Sequence, residues 1–255
     1  MSKIKHPKVY SKLQTQRIGD AGKIVAEILG VMEEECKIGI TTKEVDDKCK
    51  KYLKKIGAIS GTYGYQGFPA YSCISIDDVV LHGVPDHTII KEGMLIGIDC
   101  PVQYKGMYAD AAINVEIGNI STDAKKINKI SYDCLMSTLE LIRPGITIGD
   151  ICKHQFQYAY DRGYKVVTDF QGHGVGKQLH EPPYIPYFYN PNNPYNSYKL
   201  KKGNIVAIEP CLLTQEKLLL LKDGWSIKTS DGTIGTAWEH TIVVTDNGYK
   251  ILTLL

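Results

Sequence analysis

GMLIGIDCPVQYKGMYADAAINV, residues 93–115, has the pattern of an antiparallel β-hairpin. Two apolar, β-branched runs flank residues 103–106, and alternating runs of this kind around a short polar segment are typical of paired strands. A two-residue turn at Tyr104-Lys105 places Asp99 opposite Asp110, with Cβ atoms about 4.5–5.5 Å apart. Carboxylates that close repel each other, and a shared cation removes the repulsion. The alternative is a hairpin with two solvated aspartates.

The hairpin belongs to an internal repeat. Helices are predicted over residues 11–38, from Thr42 to about Lys55, from about Thr122 to Ile142, and from after Thr147 to about Arg162. The motif Gly-Ile-Thr precedes the second helix of each pair, and the acids match as well, since Asp99 aligns with Glu209 and Asp110 with Glu239. We therefore predict one α+β domain, residues 1–255, whose halves of about 11–118 and 120–255 each contain two helices and a hairpin. Pseudo-twofold packing of these halves around one curved antiparallel sheet brings the two carboxylate pairs together.

Composition excludes several classes of protein. The chain has 255 residues and a net charge of +2, which argues against a dedicated nucleic-acid binder. Its seven cysteines form no Cys-x-x-Cys pair, and such a scatter indicates reduced thiols in a cytoplasmic protein. Residues 1–8 lack the apolar core of a signal peptide. No apolar run approaches the ~20 residues of a membrane span, so no membrane partner is expected.

Two histidines and the two glutamates of the repeat are further candidates for a site. His173 lies between glycines in the segment QGHGVG, residues 171–176, and His180 follows seven residues later. Taken alone, a histidine such as His173 is more often a structural loop residue, and one such as His180 is more often a surface histidine. Glu209 and Glu239 adjoin apolar strands, where a carboxylate needs a cation or several donors, although a salt bridge at a strand end is the alternative. Carboxylates with imidazole suit Mn²⁺, Fe²⁺ or Co²⁺ better than a sulfur site does.

Together these motifs resemble the methionine aminopeptidase family in its bacterial, type I form. The resemblance rests on Cys73-Ile-Ser, His82-Gly-Val-Pro, Ile-Asp99, Tyr-Ala-Asp110, Gly-His173-Gly-Val-Gly, His180-Glu-Pro, Ile-Glu209-Pro and Trp-Glu239-His-Thr. It covers essentially the whole chain, with the motifs in order and at comparable spacings. It implies the pita-bread fold, a single catalytic domain, and two divalent metal ions (Co, Mn, Fe or Zn). The implied activity is removal of initiator methionine from nascent proteins with a small second residue.

The resemblance also implies roles for individual residues. The implied metal ligands are Asp99, Asp110, His173, Glu209 and Glu239, with Asp110 and Glu239 bridging both ions. Glu209 would also take and return the proton during catalysis, and His180 would steady the developing oxyanion. His82 would bind the scissile amide or the leaving side. The implied walls of the methionine pocket are Tyr65, Phe68, Cys73, Leu179 and Trp225, for which ordinary core packing is the alternative.

Ala111-Ala112 and residues 184–198 are among the departures of this sequence from the family pattern. Ala111-Ala112 replaces a hydroxyl residue that commonly follows the second aspartate, which removes a contact near the predicted metals. Residues 184–198 form an expanded segment rich in Tyr, Pro and Asn, which either walls the mouth of the cleft or is a surface loop packed by its own tyrosines.

The sequence also leads to expectations about the partners of the protein, and it leaves two alternative functions open. The expected partners are the N-termini of nascent polypeptides, with the ribosome as a place of contact, and a monomer is expected. One rival function is a proline-dipeptidase or aminopeptidase P activity on the same fold. The other is a non-catalytic binding protein.

Overall fold

Four helices form two pairs along the chain. The computed structural model describes residues 5–215 and 217–254, so parts of the predictions for the N-terminus and for the domain 1–255 lie outside the described residues. The helices are α1 Lys12–Glu35, α2 Thr42–Ile56, α3 Thr122–Glu140 and α4 Ile148–Tyr160. They confirm the four helices predicted from the sequence, although α1, α3 and α4 end two or three residues earlier than predicted. In α1 the backbone leaves the helical conformation at Cys36, where ψ is 79°.

Short sequence signals set the ends of α2. The Thr41 hydroxyl accepts from the backbone N–H of Glu44, and the Glu44 carboxylate accepts from the N–H of Thr41, which together form a capping box. Gly57 ends the helix in the left-handed conformation, with φ of 71°. Thus α2 begins and ends where its sequence predicts.

Seventeen strands are present in the described residues. They are β1 Ile59–Ser60, β2 Cys73–Ile76, β3 Val79–Leu81, β4 Leu95–Asp99, β5 Val102–Tyr104, β6 Met107–Ala109, β7 Ala111–Glu116, β8 Lys165–Val166, β9 Gln171–Gly174, β10 Glu181–Pro186, β11 Ile205–Ile208, β12 Cys211–Leu213, β13 Leu218–Leu220, β14 Ile227–Thr229, β15 Thr236–Ala237, β16 Glu239–Val244 and β17 Tyr249–Ile251. The main sheet is antiparallel, in the order β10-β9-β11-β16-β7-β4-β2, and β17 pairs with β16. Three small sheets flank it, in the orders β1-β5-β6, β15-β12-β8 and β13-β14-β3.

The two halves of the chain meet at the centre of the main sheet, between β7 and β16. On one side of this seam β7 is followed by β4, and on the other β16 is followed by β11, as the sequence repeat predicts. The Asp110 N–H donates to Thr241 Oγ1 over 3.0 Å, and the Thr241 hydroxyl donates to the carbonyl of Asp110 over 2.7 Å. Both bonds hold the backbone of Asp110 at the point where the halves join.

The register of the 93–115 hairpin differs from the prediction by two residues. Its turn consists of Lys105 and Gly106, with φ of 49° and 75°, and not of Tyr104 and Lys105. Two-residue hairpin turns of the favoured type need positive φ at both central residues, and glycine adopts it without steric cost. Asp99 consequently lies opposite Ala112, and Asp110 is its diagonal neighbour. Since a two-residue shift preserves the face of a strand, the two carboxylates still share one face of the sheet.

Each pair of helices packs on the strands of its own half of the chain. One apolar cluster joins α1 and α2 to the strands of the first half, and another joins α3 and α4 to the second half.

All seven cysteines are buried, and none of them forms a disulfide bond. Within the described ranges, no helix has the length and apolar character needed to cross a membrane.

Candidate active site

A cavity of about 260 Å³ brings together every side chain that the sequence predicts for the site. These residues are Tyr65, Phe68, Cys73, His82, Asp99, Asp110, His173, Leu179, His180, Glu209, Trp225 and Glu239. They come from both halves of the chain and meet beside the seam. Residues that are far apart in the sequence therefore lie around one cavity.

The five predicted metal ligands come from five strands or strand ends. Asp99 ends β4, Asp110 precedes β7, His173 lies in β9, Glu209 follows β11 and Glu239 begins β16. Ligand atoms of Asp110, His173 and Glu239 all lie within 4.8 Å of one another. Glu209 Oε1 is 3.4 Å from His173 Nε2, which adds Glu209 to this group. Antiparallel pairing across the main sheet is what holds the group together.

Three of the four predicted carboxylate ligands have a buried oxygen that lacks the partner a buried acid normally has within the described part of the chain. Among the described residues, no hydrogen-bond partner is found for the buried atoms Asp99 Oδ1, Asp110 Oδ1 and Glu239 Oε1. Burial raises the pKa of Asp110, and the neighbouring charge of Asp99 raises it further. Burial also raises the pKa of Glu239, with the charge of Asp110 as the next cause. Unpaired acid oxygens that converge in a buried site fit a divalent cation, which would satisfy and neutralise them.

His173 is oriented as a neutral ligand. Its Nδ1–H donates to the carbonyl of Gly174 over 3.0 Å, so Nε2 carries the lone pair and faces the carboxylates. Burial lowers the pKa of His173 to about 3, with His180 as the next cause. A metal-binding histidine needs this neutral form.

His180 and His82 lie on the wall of the cavity. The His180 ring is 4.3 Å from that of His173, and its Nδ1 is 2.7 Å from the hydroxyl of Tyr65. When Tyr65 donates to Nδ1, the His180 proton resides on Nε2, which is then available to an acceptor on a substrate. His82 has a φ of 55° and packs edge-on against Phe170 at 5.0 Å. Neither histidine belongs to the group of three whose ligand atoms lie within 4.8 Å.

An apolar pocket adjoins the acidic group. Phe68 and Trp225 meet edge to face at 5.3 Å, and Cys73 packs against them. Leu179 and Tyr65 complete the predicted wall at the same cavity. The pocket therefore offers an apolar, aromatic surface beside polar groups, as small-molecule sites generally do.

Tyr187 is a site residue that the sequence did not predict. Its side chain is fully buried, and its hydroxyl donates to Glu209 Oε2 over 2.8 Å. The segment 184–198 begins as part of β10, so Tyr187 lies at the cavity, whereas Tyr189 is exposed. The start of this segment thus lines the cleft. Its many tyrosines were the available signal, but they did not show which one points inward.

The two alanines after Asp110 have different environments. Ala111 is packed in the apolar core of the first half. Ala112 lies opposite Asp99 on β4 and opposite Glu239 on β16. The lost hydroxyl that matters to the site therefore corresponds to Ala112.

Solved structures confirm the fold. Methionine aminopeptidase from Thermotoga maritima superposes with a TM-score of 0.93 at 30% identity, covering 98% of this chain and 100% of that one. Prolidase from Pyrococcus furiosus superposes with a TM-score of 0.80 at 23% identity, covering 97% of this chain and 65% of that one, and at this identity it shows the fold alone. The paired helices around an antiparallel sheet with acids at its centre define a pita-bread metallohydrolase.

Sequence comparison gives the family. The model of metallopeptidase family M24 matches residues 16–246, and the chain belongs to this family. Methionine aminopeptidase from Clostridium perfringens is 37% identical over 236 residues, which are 92% of this chain and 94% of that protein. The match extends over almost the whole length of both chains.

Proposed function

We propose that this protein is a methionine aminopeptidase, which removes the initiator methionine from nascent proteins with a small second residue. The names of the Clostridium and Thermotoga relatives support the activity. The observation that carries it in this chain is the close group of Asp110, His173 and Glu239 beside the apolar pocket of Phe68 and Trp225. Such a site combines hydrolytic chemistry with recognition of one apolar side chain.

The proposed metal centre uses the five side chains at the floor of the cavity. Asp99, Asp110, His173, Glu209 and Glu239 would hold two divalent cations (Co, Mn, Fe or Zn). When bound, divalent cations acidify water and polarise a carbonyl group, which supplies a nucleophile at neutral pH. The unpaired buried oxygens of Asp99, Asp110 and Glu239 support this assignment.

Glu209 is the proposed group for proton transfer. In the metal-free protein burial raises the pKa of Glu209, while the hydrogen bond from Tyr187 opposes the rise. Beside bound cations the group would be ionised, and its carboxylate could accept a proton from the attacking water and return it to the leaving amine. Tyr187 bonds to Oε2 and leaves Oε1 directed towards His173.

The wall histidines act on the peptide. His180, with Nδ1 bonded to Tyr65, donates from Nε2 to the scissile carbonyl as negative charge develops on its oxygen. His82 binds the scissile amide or the leaving side. The methionine side chain occupies the pocket of Tyr65, Phe68, Cys73, Leu179 and Trp225, and the exclusion of water from that pocket favours an apolar residue.

The proposed setting is the cytoplasm, with nascent N-termini as substrates and the ribosome as a place of contact. The protein would act as a monomer. The buried, disulfide-free cysteines are compatible with a reducing compartment.

Peptide hydrolysis tests the proposed function. The purified protein, stripped with a chelator and reloaded with Mn²⁺ or Co²⁺, should release methionine from Met-Ala-Ser, and the chelator should abolish the release. Methionine is quantified by chromatography. Cleavage of Xaa-Pro peptides only would assign the prolidase-type activity instead. If the metal-loaded protein hydrolysed neither peptide but bound other proteins, a non-catalytic role would replace the proposal.

A further inference from the structure

The N-terminal segment, residues 5–11, is fastened along the second half of the chain. The backbone N–H of Tyr10 donates to the carbonyl of Gly203 over 2.8 Å. The side chain of Asn204 donates to the carbonyl of Lys8 over 2.7 Å, and the Tyr195 hydroxyl donates to the carbonyl of Lys5 over 2.9 Å. These bonds place the Tyr10 side chain against the loop formed by residues 176–181.

Glu181 is an unusual residue at the end of this loop. It is only 2% exposed, and a carboxylate so buried requires specific partners. One of its oxygens accepts from the Tyr10 hydroxyl, and the other accepts from Lys8 Nζ at 2.5 Å. Both partners come from the N-terminal segment, and Tyr10 lies 171 residues before Glu181 in sequence.

Tyr10 also holds the start of the same loop. Its hydroxyl accepts from the backbone N–H of Lys177 over 2.9 Å. Its ring lies so close to Gly176 that a Cβ built there would be 2.3 Å from the Tyr10 hydroxyl oxygen. One phenol group therefore joins the first and last parts of a six-residue loop.

The loop between these fixed points carries two predicted site residues, Leu179 and His180. His180 is exposed towards the cavity, and within the described residues its side chain contacts the rings of Tyr65 and His173. Glu181 follows His180 directly and pairs with Gly174, the neighbour of His173. Because His180 and Glu181 are joined by one peptide bond, a movement of Glu181 also moves His180.

We propose that Tyr10, acting through Glu181 and Lys177, is a positioning residue for His180. This inference rests on the proposed function, in which His180 donates to the scissile carbonyl. Tyr10 touches no reacting atom. It restricts the loop so that His180 Nε2 stays where the oxyanion forms, and a displacement of about 1 Å at such a group costs on the order of a hundredfold in rate.

Tyr10→Phe tests the proposal in the metal-loaded enzyme. The variant keeps the ring but loses the bonds to Glu181 and Lys177. We expect kcat for Met-Ala-Ser to fall about tenfold or more with KM nearly unchanged, because a contact made in the transition state is weakened. Glu181→Gln, which retains an acceptor for Tyr10, should have a smaller effect in the same direction. The matched control is Tyr195→Phe, which removes another tyrosine bond to the N-terminal segment and should leave kcat unchanged.

A double-mutant cycle separates positioning from general destabilisation. In a His180→Ala background, Tyr10→Phe should cause no further loss of kcat, because the residue through which it acts is gone. An equal fold-loss in both backgrounds would overturn the proposal in favour of a smaller folded fraction. The proposal would also be overturned if the parent enzyme were active and Tyr10→Phe had the same kcat.

Hydrogen exchange provides a readout that does not depend on activity. Amide exchange in residues 176–181 should become faster in Tyr10→Phe and should not change in Tyr195→Phe. If the amides of residues 176–181 exchanged at the same rate in Tyr10→Phe and Tyr195→Phe, Tyr10 would not restrain the loop. If the parent enzyme releases no methionine but the exchange result is as expected, the proposed function fails, the role for His180 fails with it, and only the restraint stands.

Discussion

The hydroxyl of Tyr187 lies 2.8 Å from Oε2 of Glu209, and both side chains line the active-site cavity. Tyr187→Phe removes this donor while preserving the packing of the ring. A carboxylate that loses a buried partner is less well ordered, so kcat should fall roughly tenfold, in line with about 1.5 kcal/mol for a hydrogen bond to a charged group. Steady-state kinetics and calorimetric Mn²⁺ titration would measure the effect.

A second tyrosine of the same segment is the control for this prediction. The Tyr198 hydroxyl donates to Asn204 Oδ1 over 3.1 Å, away from the cavity. Tyr198→Phe should therefore leave kcat and Mn²⁺ affinity unchanged. Equal losses in the Tyr187 and Tyr198 variants would show that segment packing, and not the bond to Glu209, is responsible.

Glu209→Gln tests the role in proton transfer. The amide retains an oxygen near His173 but cannot accept and return a proton at neutral pH. We expect kcat to fall by about 10²–10⁴-fold, the usual contribution of general acid–base catalysis, with the folded structure retained. Stopped assays of methionine release, with circular dichroism on the same samples, are the measurements. Turnover within twofold of the parent would remove Glu209 from this role.

Ala112→Ser tests the position opposite Asp99 and Glu239. The new hydroxyl would lie beside two carboxylates whose buried oxygens lack partners among the described residues. Hydrogen bonds to ligands raise metal affinity, so we expect Mn²⁺ to bind about tenfold more tightly, at the lower end of the effect of such contacts. Ala111→Ser is the control, since it places a hydroxyl in the apolar core and should lower stability without tightening Mn²⁺ binding. Unchanged affinity in Ala112→Ser would contradict the assignment.

Asp46 provides a pH-dependence prediction away from the metal ligands. The carboxylate accepts from the Tyr71 N–H at 3.0 Å and the Ser72 hydroxyl at 2.7 Å, yet burial dominates and raises its pKa. The folded state then binds a proton more readily than the unfolded state, so this group's contribution to stability decreases as pH rises above its unfolded pKa of about 3.9. Relative to Asp46→Asn, the parent protein should lose stability between pH 4 and 7. Urea unfolding of both proteins at pH 4 and pH 7 measures the difference, and a stability of the parent relative to Asp46→Asn that increased with pH would refute the sign.

Two glycines of α1 should respond in opposite directions when each is replaced by alanine and the free energy of unfolding is measured. A Cβ at Gly22 would lie 2.2 Å from the carbonyl oxygen of Leu252, whereas a Cβ at Gly30 meets nothing within 4 Å. Gly30→Ala should raise the free energy of unfolding by about 0.5–1 kcal/mol through helix propensity. Gly22→Ala should lower it by about 1–3 kcal/mol, because the carbonyl belongs to the backbone and cannot move aside easily. Chemical denaturation of both variants is the test, and the same sign in both would contradict the contact.

Much of the fold was predictable because the chain repeats itself. The helix pairs and the alignment of Asp99 with Glu209 follow from sequence periodicity and from acids placed in apolar strands. The hairpin register was predicted wrongly by two residues, since apolar alternation does not distinguish registers that differ by two. The observed register is selected by the turn, which needs positive φ at Lys105 and Gly106.

The residues that support the site were harder to predict than the residues that form it. Tyr187 is one of many tyrosines, and nothing in its local sequence shows that it reaches Glu209. Tyr10 meets Glu181 across 171 residues, a distance over which periodicity carries no information. Such contacts depend on tertiary packing, which a single sequence does not reveal.

The seam between β7 and β16 also has a consequence for the order in which the protein is made. Asp99 and Asp110 leave the ribosome with the first half, whereas Glu239 begins β16 of the second half. The proposed metal centre therefore cannot be completed until β16 has been synthesised and the two halves have paired. A chain terminated before β16 would lack a complete centre and would have no peptidase activity.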